Sequence, residues 1–339
     1  MKRKVGAIAL GSALLISIPS SAEDPWVVYP GGDGPGAGRH VVLVSGDEEY
    51  RSEEALPMLG KILARHHGFT CTVLFAVNTA TGEIDPDVQD NIPGLEALKT
   101  ADLAVFFIRF RRLPPEQARH IDDYLRSGRP VLGIRPTVAA FKYDEQDHPY
   151  ARWDFRGKTP GFEGGFGRQI LGETWIAHHG KHGAQSTRGV IAPGAKDHPI
   201  VRGCEDIWGP TDVYRVRLPM PEGCTPLLLG QVLEGMKPDD RPAAGPPNSP
   251  MMPLAWTRTY AAEGEKAGRV FTTTIGASQD FASEGLRRLA VNACYWAVGL
   301  EAKIPERAKV DCVGEYVPTP FGFKRFKKGV RPIDHAMGR

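Results

Sequence analysis

Residues 100–135 read TADLAVFFIRFRRLPPEQARHIDDYLRSGRPVLGIR. Leu103 to Ile108 is an apolar run of the length of a fully buried strand. Pro114 and Pro115 follow, where a helix can begin because its first N–H groups have no intrahelical acceptor. The helix runs to Ser127, and Gly128 closes it as the residue that tolerates a left-handed backbone. Val131 to Ile134 is a second apolar run. Strand, helix and strand in close succession make a parallel β-α-β unit, and strands apolar on both sides belong to a sheet covered on both faces.

The same grammar extends upstream. His40 to Ser45 (HVVLVS) is a β-branched run, followed by a helix from Glu53 to about His67 with Ser52 as the expected N-cap. Glu53 and Glu54 suit its first turn, and Gly68 ends it. Thr70 to Phe75 is another strand. Four short apolar runs separated by helices predict an α/β fold with a doubly wound, mostly parallel sheet and helices on both faces. Further strands are expected at Gly189 to Ile191, Pro226 to Leu229, Leu254 to Arg258 and Arg269 to Thr274. A last helix runs from Glu284 to Val298, capped by Ser283, with Leu286, Leu289, Ala290, Ala293 and Ala297 as its buried stripe. Lys142 to Thr187 is a long insertion rich in Gly, His and aromatic residues, and loops of that length are commonly functional.

At the N-terminus, Lys2, Arg3 and Lys4 precede an apolar stretch from Val5 to Ile18 and a small-residue site at Ser20-Ser21-Ala22, the three-part pattern of a secretory signal peptide. The stretch is short for a transmembrane helix, and no later segment is apolar enough to span a bilayer. The expected organisation is a signal peptide (1–22), an irregular Gly- and Pro-rich lead-in (23–39), one α/β domain (40–300) and a C-terminal extension (301–339). The expected location is periplasmic or extracellular, without a stable transmembrane anchor. The extension carries Phe321-Gly322-Phe323 and then Lys324-Arg325-Phe326-Lys327-Lys328, read as a solvated strap over the domain.

Lys and Arg number 42 against 40 Asp and Glu, a balance that argues against nucleic acid as the partner. The five cysteines, Cys71, Cys204, Cys224, Cys294 and Cys312, form no C-x-x-C pair, which disfavours a zinc ribbon or a thioredoxin-type site. Export permits disulfides, and Cys204 with Cys224 is one candidate pair.

In open α/β sheets, ligands bind outside the carboxyl ends of the strands. The candidates there are Asp47 and Glu48 after the first strand, Arg109 and Arg111 after the third, and Arg135 and Thr137 after the fourth. Asp47 and Glu48 can act as a base or contact sugar hydroxyls, or simply favour the adjoining helix N-terminus. The arginines can polarise a substrate oxygen or form a structural ion-pair network; Arg135, at the strand-to-turn position, is the foremost. His178, His179 and His182 form the richest cluster, suited to general acid–base work, to substrate contact or to a metal, or serving only as hydrogen-bonded structural groups. No metal is assigned; if one binds, imidazole favours zinc, with a carboxylate from Glu173, Asp47, Glu48 or Asp212. Trp153, Trp175, Trp208, Tyr214 and Trp256 can stack on a sugar ring or belong to the core. No G-x-S-x-G occurs.

The segments SGDEEYRSEEALPMLGKIL, TADLAVFFIRFRRLP, SGRPVLGI, HHGKHG with STRGVI, DIWGPTDVY, MMPLAWTRTY, GRVFTTTIGASQDF and LRRLAVNACYWAVGLE, in that order, resemble a planctomycete-type branch of the ThuA-like family across nearly the whole mature chain. The resemblance implies a class I glutamine amidotransferase-like fold. It also implies a link to sugar metabolism, the family being named for trehalose utilisation. The turn after Ile134 carries Arg135, Pro136 and Thr137 in place of that fold's nucleophile, so cysteine-dependent amidotransferase chemistry is not expected. Relatives carry a histidine shortly before Phe141, and this chain has none there. The expected activity is acid–base chemistry on a sugar or keto-sugar derivative; the alternative is a non-enzymatic carbohydrate- or partner-binding module.

Overall fold

Hydrophobic alternation dictates the layering. In strand β2 (His40–Gly46), Val41 and Leu43 enter one core while Val42 and Val44 enter another, and β4 (Leu103–Ile108) divides the same way. A sheet apolar on both faces must be covered on both. Helix α1 (Ser52–His67) and α3 (Glu284–Ala297) cover one face, and α2 (Pro115–Arg126) covers the other. The stripe Leu286, Leu289, Ala290, Ala293 and Ala297 packs into the α1 side as its spacing requires. The computed structural model describes residues 24–145, 147–261 and 266–338; the expected signal peptide lies outside the described residues.

Among the described residues the sheet has ten strands, in the order β1-β3-β2-β4-β5-β10-β9-β8-β6-β7. Strands β3 (Thr70–Phe75), β2, β4, β5 (Val131–Ile134) and β10 (Ala267–Thr273) run parallel. Beyond β10 the sheet turns antiparallel through β9 (Met252–Ala261), β8 (Thr225–Val232), β6 (Thr187–Ile191) and β7 (Trp208–Gly209). The α/β expectation therefore holds, while the sheet is mixed rather than mostly parallel. The antiparallel half forms because β8, β9 and β10 succeed one another without a crossover helix, and antiparallel strands need none. Part of the stretch read as an irregular lead-in also joins the sheet: Trp26–Tyr29 (β1) pairs with β3 at its edge.

Local chemistry sets the helix ends. Gly68, at φ 81°, sends its N–H to Ala64 O and Leu63 O, the left-handed closure a glycine allows. Ser283 Oγ caps α3 through Leu286 N at 3.3 Å. Ser52, read as the cap of α1, is instead its first residue. Arg51 occupies the cap in a left-handed conformation (φ 64°), and the Ser52 hydroxyl bonds Ser45 at 2.8 Å. All five cysteines are free, so Cys204 and Cys224 do not bridge.

The C-terminal extension packs along the carboxyl edge of the parallel strands. Thr319 binds the Glu54 carboxylate through its N–H (2.9 Å) and hydroxyl (2.6 Å). Gly322 N–H reaches Glu49 O at 2.7 Å, and Ile84 N–H reaches Val330 O at 2.8 Å. It closes a wall of the site beneath it.

Candidate active site

The turn after β2 is built around Asp47. Its carboxylate is fully buried and accepts the backbone N–H groups of Glu49 and Tyr50. Burial and the neighbouring Glu48 push this carboxyl up from the usual range. Asp47 thus shapes the loop that presents Glu49, and its oxygens are spent on backbone donors. Glu48 is held between Arg109 and Arg111, the latter at 3.0 Å. Arg111 is fully buried and also donates to the Pro86 and Val88 carbonyls. These two residues, expected as substrate contacts, form a structural ion pair.

Thr137 is likewise a tie. Its hydroxyl donates toward Phe106 O (2.7 Å) and Ile134 O (2.6 Å) and accepts Ile108 N–H at 3.2 Å. It pins the turn after β5 to β4 and faces no cavity.

Arg135 is fully buried. Its guanidinium lies between the rings of Tyr50 (4.5 Å) and Tyr214 (3.9 Å), donates to Thr274 O at 2.8 Å and pairs with Asp212 Oδ1 at 3.1 Å. Burial works against its charge, but Tyr214, Tyr50 and Asp212 outweigh it, so it remains a cation. Arg135 therefore acts behind the site, as the fixed counter-charge of Asp212.

Asp212 is the hub. Oδ2 meets His178 Nδ1 at 2.9 Å, and Oδ1 meets His182 Nδ1 at 2.9 Å. Burial alone would raise its carboxyl, but Arg135 and the two imidazoles hold it well below the usual carboxylate range. A carboxylate only accepts, so each Nδ1 carries a proton. His182 Nε2 is bound too, to Glu49 Oε1 at 3.2 Å. The bonds to Asp212 and then Glu49 push this imidazole up to about 9, which makes it a cation at neutral pH. Burial would raise Glu49, but His182 and Arg109 keep it ionised. His178 differs: its Nε2 has no partner among the described residues, and its side chain is 33% exposed to the cavity. Its lone pair is presented to whatever the cavity holds.

His179 does not join this cluster. An isolated antiparallel bridge pairs His178 with Tyr214, and His179 N–H reaches Val213 O at 2.9 Å. In extended backbone, successive side chains point to opposite sides. His178 therefore shares a side with Asp212 and Tyr214, while His179 Nε2 faces away to Pro247 O at 2.9 Å. Glu173 is also elsewhere, buried between Arg168 and Arg217.

The cavity in front of His178 measures about 1120 Å³. Glu49, Arg109, His178 and His182 line its floor, Trp175 and Trp208 one side, and the C-terminal extension the other. Of the aromatics weighed as sugar platforms, Trp153 and Trp256 are core, and Tyr214 is buried against Arg135. A small recess of about 30 Å³, reached by Pro136, Ala139, Arg109 and Tyr214, adjoins His178, which is room for about one water molecule. Glu49, Gln279 and the extension were not anticipated as site residues. Glu49 reads as a helix-terminus carboxylate, and nothing in the sequence ties residue 321 to residue 182.

His178, His182 and Asp212 are the described residues whose donor atoms lie close enough to hold a metal ion. Both Nδ1 atoms are already spent on Asp212, and the Arg135 cation shares Oδ1 with His182. A dication bound there would have to displace those protons and sit beside the Arg135 cation. No serine, threonine or cysteine lines the cavity among the described residues.

Comparison with known proteins gives the chain its kin. A ThuA-like protein of Bacteroides uniformis ATCC 8492 shares 15% identity, covering 79% of this chain and 95% of that one, with a TM-score of 0.48. A ThuA-like protein of Parabacteroides merdae ATCC 43184 shares 14%, covering 84% and 97%, with a TM-score of 0.46. Nothing about function follows from either likeness. No curated protein matches. The family model ThuA, described as trehalose utilisation, matches residues 40–297, the greater part of the chain, and the protein belongs to that family.

Proposed function

We propose that the protein is an enzyme that abstracts a proton from a sugar or keto-sugar derivative, with His178 as the general base. One observation carries this reading: His178 is oriented through Nδ1 by an Asp212 that Arg135 keeps ionised, while Nε2 opens on the cavity. A carboxylate behind an imidazole fixes its tautomer and stabilises the cation formed when it takes a proton. Such a base contributes about 10²–10⁴-fold.

The rest of the site narrows the chemistry. With no hydroxyl or thiol in the cavity lining among the described residues, a covalent acyl route has no carrier. Glu49, ionised against His182 and Arg109, is the one carboxylate of this lining among the described residues, so the second carboxyl group of ordinary glycoside hydrolysis has no counterpart there. A carbonyl-bearing sugar suits a lone base, because the carbonyl acidifies the adjacent C–H. The fixed His182 cation lies 4.3 Å from His178, ring centre to ring centre, and favours negative charge developing on substrate. Trp175 and Trp208 offer apolar faces to a sugar ring. On the reading of residues 1–22 as a signal peptide, this activity is exported, and no helix among the described residues is long and apolar enough to cross a membrane.

The aromatic walls favour a second reading, a sugar-binding module without turnover. One screen separates the two: oxidised and unmodified disaccharides are assayed for turnover and titrated calorimetrically with wild type and His178→Ala. Turnover lost in the variant supports the enzyme. Binding without turnover, equal in both proteins, supports the module and sinks the base.

A further inference from the structure

We infer that the C-terminal extension sets the substrate specificity of this site, with Phe323 and Arg325 contacting a second sugar ring beyond the one placed against His178. This rests on the sugar-processing reading above. The family match ends at residue 297, yet Pro318, Pro320, Phe321, Gly322, Phe323 and Arg325 all line the cavity. The extension is therefore a wall that lies outside the family match.

That wall is fixed in place. Tyr316 OH donates to Ser278 O at 2.7 Å, Phe321 N–H to Gln279 Oε1 at 3.3 Å, and Arg51 to Gly322 O at 3.2 Å. Further along, Arg331 reaches Thr81 O at 2.9 Å and Tyr29 OH reaches His335 O at 2.8 Å. Phe321 packs on Tyr50 and His182 at 5.8 and 5.3 Å. Gly322 (φ 135°) and Lys324 (φ 57°) both take left-handed backbone, and these two bends set the direction of the side chains around them. A segment so held presents its groups already ordered, which lowers the entropy cost of binding.

Two of those groups are unsatisfied by the protein. Phe323 is 54% exposed, and it alone of the large exposed hydrophobics lines this cavity among the described residues. One approach to its ring is occupied by the Arg109 guanidinium at 5.1 Å. Arg325 makes no ion pair or hydrogen bond among the described residues, although it stands at the cavity wall. An apolar ring face beside a free fork of donors is the pairing that recognises a sugar, whose ring C–H face stacks and whose hydroxyls accept. The cavity, about 1120 Å³, exceeds what a single hexose fills and matches ligands of at least two rings.

The test compares one-ring and two-ring ligands on the full chain. Glucose, trehalose and cellobiose, with their keto forms, are titrated calorimetrically and assayed for turnover with wild type, Phe323→Ala, Arg325→Ala and His178→Ala. Both extension residues are exposed, so thermal melts should match wild type. The expected result is a loss of about tenfold in disaccharide affinity or kcat/KM for Phe323→Ala, several-fold for Arg325→Ala, and less than twofold for glucose in each. His178→Ala should keep disaccharide binding, so a failure of the base leaves the binding arm readable. Equal losses on one-ring and two-ring ligands, no loss on either, or no binding of any disaccharide by wild type would overturn the assignment.

Discussion

Replacing His182 by Gln removes a cation that two carboxylates share, and its cost should depend on pH in a calculable way. The imidazole donates to Asp212 at 2.9 Å and to Glu49 at 3.2 Å. These bonds raise it from 6.5 to about 9. The folded state therefore holds this proton more tightly than the unfolded chain. The stabilisation is fully present below about pH 6.5 and is lost as pH rises through about 9. The full interval corresponds to at most about 3 kcal/mol. The side chain is 31% exposed, and solvent screening reduces that to about 1–2 kcal/mol. Urea denaturation of both proteins from pH 6 to pH 10 measures the difference directly, because groups common to both cancel. The gap should shrink by about 1–2 kcal/mol across that range, leaving only the pH-independent packing loss. A gap that stays constant would mean that His182 is not the shared cation described here.

Arg135→Met should cost about 3–5 kcal/mol in denaturant unfolding, because it removes the buried counter-charge of Asp212 and leaves it only the two imidazoles; a cost below about 1 kcal/mol would deny the ion pair its role. Thr137→Val should lose about 1–3 kcal/mol of stability while kcat changes little, since its hydroxyl binds only backbone. Burial pushes the Glu53 carboxyl up to about 8 despite the nearby Arg51. Its contribution is therefore present below about pH 4.5 and lost as pH rises through 8, and Glu53→Gln should flatten the stability profile in that window. Chelation should leave turnover unchanged and elemental analysis of untagged protein should find no stoichiometric zinc; a metal-dependent activity would replace the dyad with a metal centre at His178, His182 and Asp212.

The parallel half of the sheet was legible because buried strands announce themselves as continuous apolar runs. HVVLVS and LAVFFI can satisfy a two-sided core and little else. β1 was not legible: four residues between Gly- and Pro-rich segments gain their order from the β3 edge they pair with, a tertiary effect. The antiparallel half was visible as strands but not as an arrangement, since direction depends on which neighbours pair. Within the site, the strand-end positions were legible, yet position alone could not separate Arg135, a counter-charge, from Arg109, a cavity residue. Likewise His178 and His179 are identical in sequence terms. Only the bridge to Tyr214 gives them opposite sides, and Asp212, two residues earlier, was the signal for a carboxylate partner to one of them.

The central claim is that His178, held by Asp212, is the base. It is tested most directly by kcat/KM of His178→Ala on the sugar that wild type turns over, with and without added imidazole. The account predicts a fall of about 10²–10⁴-fold, unchanged disaccharide binding, and partial recovery as imidazole refills the space and takes the proton. A variant that turns over substrate at the wild-type rate would contradict it.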